Sequence, residues 1–150
     1  MRIRSVIIPL AFVTALGRAP APITVYIAGD STAAEKLPEK RPETGWGEML
    51  GQYFRADEVR IANRALNGRS TRTFISEGKW RAITDSLNAG DYVLIQFGHN
   101  DEVPTKATYT PPADFTRNLT LMVNEVRAHK AIPVLLTPVY RRKFDQNGRI

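Results

Sequence analysis

The apolar residues of this chain gather in four short runs, Ile23 to Ala28, Val59 to Ala62, Tyr92 to Phe97 and Ile132 to Leu136. Within each run they follow one another with little alternation, the pattern of strands covered on both faces, as in a parallel sheet. The segments between have helical spacing. Trp46, Met49, Leu50, Tyr53 and Phe54 fall at i, i+3, i+4, i+7 and i+8, and Phe115, Leu119, Met122, Val123 and Val126 share one helical face after a Pro111-Pro112 entry. A middle segment around Trp80, Ile83 and Leu87 predicts another helix. Strands and helices in strict alternation predict an α/β fold, a doubly wound parallel sheet sandwiched between helices. Asn147-Gly148, in the final stretch Lys143 to Ile150, reads as a turn after the fourth strand. A covering helix and a further strand would normally follow, so residues 20–150 are expected to be the N-terminal portion of a single, C-terminally incomplete domain.

Composition narrows the chemistry. With 43% apolar and 24% charged residues the chain has the makings of an ordinary core and is not of the disordered class. It holds no cysteine, which excludes disulfides, thiolate metal sites and a cysteine nucleophile, and its two histidines, His99 and His129, are too few for a histidine-rich metal site. The formal charge is +6, but without Arg2, Arg4 and Arg18 it falls to +3. What remains is spread along the chain, with one small cluster at Arg141, Arg142 and Lys143 and no nucleic-acid motif, so no nucleic-acid partner is expected. The N-terminus has a basic start, an apolar segment from Val6 to Leu16 and small residues at Ala15 and Gly17, the pattern of a secretory signal peptide ending near residue 19. The expected location is therefore secreted or periplasmic. The apolar segment is shorter than the roughly 20 residues of a membrane span, so no stable membrane association is expected after cleavage.

In open parallel sheets ligands bind beyond the carboxyl ends of the strands. After the first run comes Gly29-Asp30-Ser31, after the second Asn63 and then Asn67-Gly68-Arg69-Ser70, and after the third Gly98-His99-Asn100-Asp101. Each group also has a plain structural reading. Ser31 and Asp30 suit a helix cap, and Asn67-Gly68 and Asn100-Asp101 suit turns. Their meeting at one edge of one sheet says more than any of them alone.

The stretches GDST, with Ser31, NRALNGRSTRTF, with Gly68, and GHND, with Asn100, resemble the first three sequence blocks of the SGNH, or GDSL, hydrolases, whose fold is a flavodoxin-like three-layer sandwich. Within that superfamily TGWGEML, NGRSTRTFISEGKW, GDYVLIQFGHNDE and LLTPVYRRKFDQNGR resemble the rhamnogalacturonan acetylesterase branch. The resemblance implies a serine esterase that deacetylates plant cell-wall pectin without metal or organic cofactor. It makes Ser31 the nucleophile, and the backbone N–H groups of Ser31 and Gly68 and the side-chain amide of Asn100 the oxyanion donors. Asn100 can donate without a charge that would neutralise the base, and glycine at 68 leaves the approach open. Asp30, Asn67, Arg69 and His99 are the neighbouring candidates for substrate binding. Arg69, Arg72 and Lys79 could also face an acidic acetylated polysaccharide.

The same resemblance calls for a base in an Asp-x-x-His block near the C-terminus, and the sequence has none. His129 should sit about 22 Å from the catalytic edge, at the far end of a helix of roughly 15 residues. His99 lies at the correct edge but beside the oxyanion donor. The expectation is thus an acetylesterase whose first 150 residues are inactive or weakly active alone. Two rivals stand beside it: a non-catalytic carbohydrate-binding α/β module, and an esterase or lipase of the same superfamily with a different ester substrate.

Overall fold

A computed structural model describes residues 21–140 and 144–149. The expected leader over residues 1–19 and the basic cluster of Arg141, Arg142 and Lys143 lie outside the described residues. Strands β1 (Ile23–Gly29), β2 (Val59–Asn63), β3 (Tyr92–Gln96) and β4 (Ile132–Leu135) form one sheet in the order β2-β1-β3-β4. All three pairings are parallel, with Ile23 opposite Val59, Val25 opposite Tyr92, and Tyr92 opposite Ile132. The expected doubly wound α/β class is met. The chain order reverses between β1 and β3, and this switch point opens the crevice in which such sheets hold ligands.

Alternate residues of β1, β2 and β3 feed two cores. Tyr26, Ala28, Val93, Ile95 and Phe97 pack on one face against helices α2 (Thr71–Ser76), α3 (Lys79–Thr84) and α4 (Pro112–Ala128), through Phe74, Trp80, Ile83, Met122 and Val126. Phe74 and Phe97 meet edge to face with ring centroids 5.2 Å apart, a geometry worth about 0.5–1.5 kcal/mol beyond the area buried. On the other face Ile27, Ala33, Ala34 and Ala65 gather with Trp46, Leu50, Ile61 and Leu94. Among the described residues no helix is long and apolar enough to cross a membrane.

The helix expected from Trp46 to Phe54 is the one element that differs in kind. Only helix α1 (Trp46–Met49) is α-helical, and residues 50–53 continue as a 3-10 turn. Met49, Tyr53 and Phe54 are exposed, so the apolar spacing does not describe a buried stripe. Glycines at 47 and 51, among the poorest helix formers, interrupt the short segment. The middle helix expected around Trp80, Ile83 and Leu87 is α3, which ends at Thr84 before Leu87, and a further short helix, α2, precedes it across Gly78, left-handed with φ +72°. His129 caps the C-terminus of α4, and Asn147-Gly148 forms the expected turn, closed by Gly148 N–H to the Asp145 carbonyl at 3.0 Å.

Candidate active site

The chain leaves β1 through one tight turn and does not enter a helix. The Asp30 carboxylate, 2% exposed, accepts from the Thr32 N–H and the Thr32 hydroxyl, both at 2.9 Å, and its carbonyl accepts from the N–H of Ala33 and of Ala34. Capping in this turn is therefore the work of Asp30 and Thr32. Ser31 is half-buried, and neither its hydroxyl nor its N–H has a hydrogen-bond partner among the described residues. The buried ammonium of Lys36 bonds the Ser31 carbonyl at 2.5 Å and the Glu43 carboxylate at 2.8 Å, fixing the backbone that presents the hydroxyl.

A second segment braces this turn from outside. Trp46 N–H donates to the Thr32 carbonyl at 3.1 Å, and Gly45 and Gly47 press on the backbone of Ala33 and Ala34. A Cβ at Gly45 would lie 2.1 Å from the Ala34 carbonyl oxygen, and one at Gly47 would lie 2.5 Å from that of Ala33. Main chain meets main chain here, so no side-chain rotation relieves a clash. Gly45→Ala is expected to cost about 2–3 kcal/mol as an overpacking mutation, read as a lower midpoint of urea unfolding. Gly51→Ala, whose Cβ would meet Ile61 at 3.7 Å, should leave the midpoint nearly unchanged. The Glu48 carboxylate holds the same segment, accepting from Gly45 N–H at 2.8 Å, Lys36 N–H at 3.1 Å and Arg41 at 2.7 Å. The Gly45 N–H first, and then Arg41, hold Glu48 below its ordinary pKa, and Lys36 does the same for Glu43 by hydrogen bond and charge. Both are ionised at neutral pH.

The loop after β2 is sewn to β1. Leu66 N–H donates to the Gly29 carbonyl at 3.0 Å, Arg64 N–H to the Ile27 carbonyl at 2.9 Å, and the Asn63 amide to the Ala33 carbonyl at 2.8 Å. Gly68 adopts φ +74°, and a Cβ there would meet nothing within 4 Å. Its glycine answers to the left-handed backbone and not to crowding by neighbouring protein atoms. Its N–H has no acceptor among the described residues. Asn67 is exposed and offers its carbonyl to Arg69, which also pairs with Glu77 at 3.0 Å. Arg72 donates to the carbonyls of Tyr109 and Ala107. Lys79 lines a cavity of about 340 Å³ with Arg64, Asn63 and Leu66.

The loop after β3 completes the edge. Asn100, 8% exposed, donates one amide hydrogen to the Arg69 carbonyl at 3.1 Å, which orients the amide and leaves its second hydrogen unspent. Asp101 is buried and accepts from the N–H and hydroxyl of Thr71 at 2.9 and 2.6 Å, locking the start of α2 to this loop. His99 points its Nε2 at the Val139 carbonyl. The three strand-end loops carrying Ser31, Gly68 and Asn100 are thus tied to one another through named bonds. His129 stands apart at the end of α4. Gln96 escaped the sequence reading because its partners Thr32, Trp46 and Thr137 lie far along the chain, and Lys36 because nothing in its local pattern marks an ammonium turned onto the main chain. Only Gln96, an amide inside an apolar run, carried a visible signal. Among the described residues no group of three or more acidic or histidine side chains could hold a metal ion.

A family model of GDSL-like lipases and acylhydrolases matches residues 27–149. The chain is 45% identical over 129 residues to the rhamnogalacturonan acetylesterase RhgT of Bacillus subtilis (strain 168), covering 86% of this chain and 54% of that protein. It is 47% identical over 78 residues to a rhamnogalacturonan acetylesterase of Emericella nidulans, covering 52% and 28%. The chain spans about half the length, or less, of these curated relatives. Among solved structures the Bacillus subtilis protein YxiM superposes with a TM-score of 0.75 at 31% identity, covering 85% of this chain and 36% of that one. An acetyl xylan esterase from Geobacillus stearothermophilus shares the fold at a TM-score of 0.58 and 19% identity, covering 80% and 62%.

Proposed function

Because the chain belongs to the GDSL-like lipase/acylhydrolase family, we propose that it carries the nucleophile and oxyanion donors of a serine esterase that removes acetyl groups from an acidic plant cell-wall polysaccharide, rhamnogalacturonan or another pectin. The observation that carries the reading is the bonding of three loops around the β1/β3 switch point: among the described residues Ser31 offers an unengaged hydroxyl and N–H, Gly68 an unengaged N–H, and Asn100 an amide hydrogen still to spend. In the proposed reaction Ser31 Oγ attacks the acetyl carbonyl carbon and gives its proton to a general base. The oxyanion that forms takes hydrogen bonds from those three donors. Collapse expels the sugar hydroxyl with a proton returned by the same base, and water then releases acetate from Ser31 by the reverse sequence.

We place the base neither on His129, which is at the end of α4, nor on His99, whose Nε2 is bonded to the Val139 carbonyl. We assign it to further sequence of the protein, in keeping with relatives that are about twice as long. An acidic polymer suits Arg64 and Lys79, which line the cavity beside the 63–66 segment. Neither forms an ion pair among the described residues.

The test is to treat the purified full-length protein with a fluorophosphonate, map the label, and compare acetate release from acetylated rhamnogalacturonan, acetyl xylan and a lipid acyl ester. The expected label is on Ser31, with acetate released fastest from rhamnogalacturonan. A protein that binds the polysaccharide while Ser31 stays unlabelled would be the carbohydrate-binding module instead. Preference for xylan or lipid would overturn the substrate and leave the chemistry standing.

A further inference from the structure

Gln96 ends β3 directly opposite Gly29, the residue from which the nucleophile turn departs. Its side chain shares a sheet face with Leu94, on the side where Ile27, Trp46, Leu50 and Ile61 form an apolar cluster. It is 7% exposed. A primary amide in such surroundings is costly unless its hydrogen bonds are made, and here they run to three different segments. Gln96 Oε1 accepts from the Trp46 indole N–H at 2.7 Å and from the Thr32 hydroxyl at 3.0 Å, and Nε2 donates to the Thr137 carbonyl at 3.0 Å. The amide has one possible orientation, since an indole can only donate and a carbonyl can only accept. Thr32 divides its single hydroxyl proton between Gln96 and Asp30. A leucine or methionine would fill the same space without these demands.

We infer that Gln96 is a positioning residue for Ser31, its amide fixing the distance of the 30–32 turn from the 45–47 brace on one side and from the segment after β4 on the other. The inference rests on the esterase reading of Ser31. Gln96 itself touches no reacting atom. It acts through Thr32, the neighbour of the nucleophile, and through Trp46, whose N–H holds the carbonyl of that same Thr32. Loss of the amide frees three segments together, and displacement of a nucleophile by about 1 Å is enough to slow reaction on the order of 100-fold.

The experiment measures the rate of Ser31 labelling by a fluorophosphonate, and kcat and KM for a small acetyl ester, in full-length wild type, Gln96→Met and Trp46→Phe, well below each variant's unfolding temperature. For Gln96→Met we expect labelling and kcat to fall about 10–100-fold with KM within about twofold of wild type, together with a shifted Trp46 emission as the indole N–H loses its partner. Trp46→Phe keeps an aromatic side chain, though a smaller one, and removes one of the three bonds, and should slow labelling about 3–10-fold. It decides the matter if Gln96→Met does not fold. A folded Gln96→Met labelled as fast as wild type overturns the inference alone, as does an unchanged rate in Trp46→Phe where only that variant folds. Wild-type Ser31 that fails to react overturns the esterase reading, and the inference with it.

Discussion

Ser31→Ala is expected to lower ester hydrolysis by about 10⁴–10⁶-fold while moving the free energy of unfolding by no more than about 0.5 kcal/mol. The two halves of this expectation have one cause. The hydroxyl has no hydrogen-bond partner among the described residues, so its removal deletes the proposed attacking atom and little else. Nothing nearby can take over. The chain has no cysteine, and the hydroxyl of the adjacent Thr32 is committed to Asp30 and Gln96. Acetate release by the full-length variant, set beside its urea unfolding curve, reads both quantities. Activity within tenfold of wild type would remove Ser31 from the reaction.

Asn100→Ala should be the next most damaging change, lowering kcat about 10²–10³-fold. Its effect is separable from that on Ser31 because the group concerned is needed only once charge has formed. One amide hydrogen is anchored on the Arg69 carbonyl, so the other is aimed before substrate arrives and needs no reorganisation in the transition state. The ground-state carbonyl is a weaker acceptor than the oxyanion, so KM should change little while kcat falls. The lost bond to Arg69 should add about 1 kcal/mol of destabilisation. A variant that raised KM with kcat unchanged would show that Asn100 binds substrate and does not stabilise the oxyanion.

β1 and β3 were legible because burial on both faces writes a continuous apolar run; β2 and β4, edge strands with no buried residue, were legible from apolar content alone, and β1, β2 and β3 end within one residue of where those runs stop. The segment after Gly45 was misread for an equally physical reason. Its apolar spacing is helical, but the glycines that weaken the helix are the ones whose missing Cβ atoms let the backbone lie against Ala33 and Ala34. Ser31, Gly68 and Asn100 stood out as small or amide residues directly after strands. Their supports did not. Lys36 looks like a surface lysine until its ammonium is found on the Ser31 carbonyl, and Asp101 like half of a turn until Thr71, thirty residues earlier, is found bonded to it. Arg69 reads as a cation facing an acidic substrate, whereas its guanidinium pairs with Glu77. Periodicity reports which face a residue takes, but it carries nothing about a partner brought near by chain crossover.

The strand order β2-β1-β3-β4 also bears on how such a chain comes off the ribosome. β1 is complete at Gly29, but its central position needs β3, whose last paired residue is Gln96. At about 5–20 residues per second those 67 residues take about 3–13 s to synthesise. Within that interval Tyr26 and Ile27 have no strand partner until β2 is complete at Asn63, and from then until Gln96 they pair on one side only. β1, which leads into the turn of Ser31, is thus enclosed late, and the interval before β3 emerges is when the nascent chain has most to gain from a chaperone.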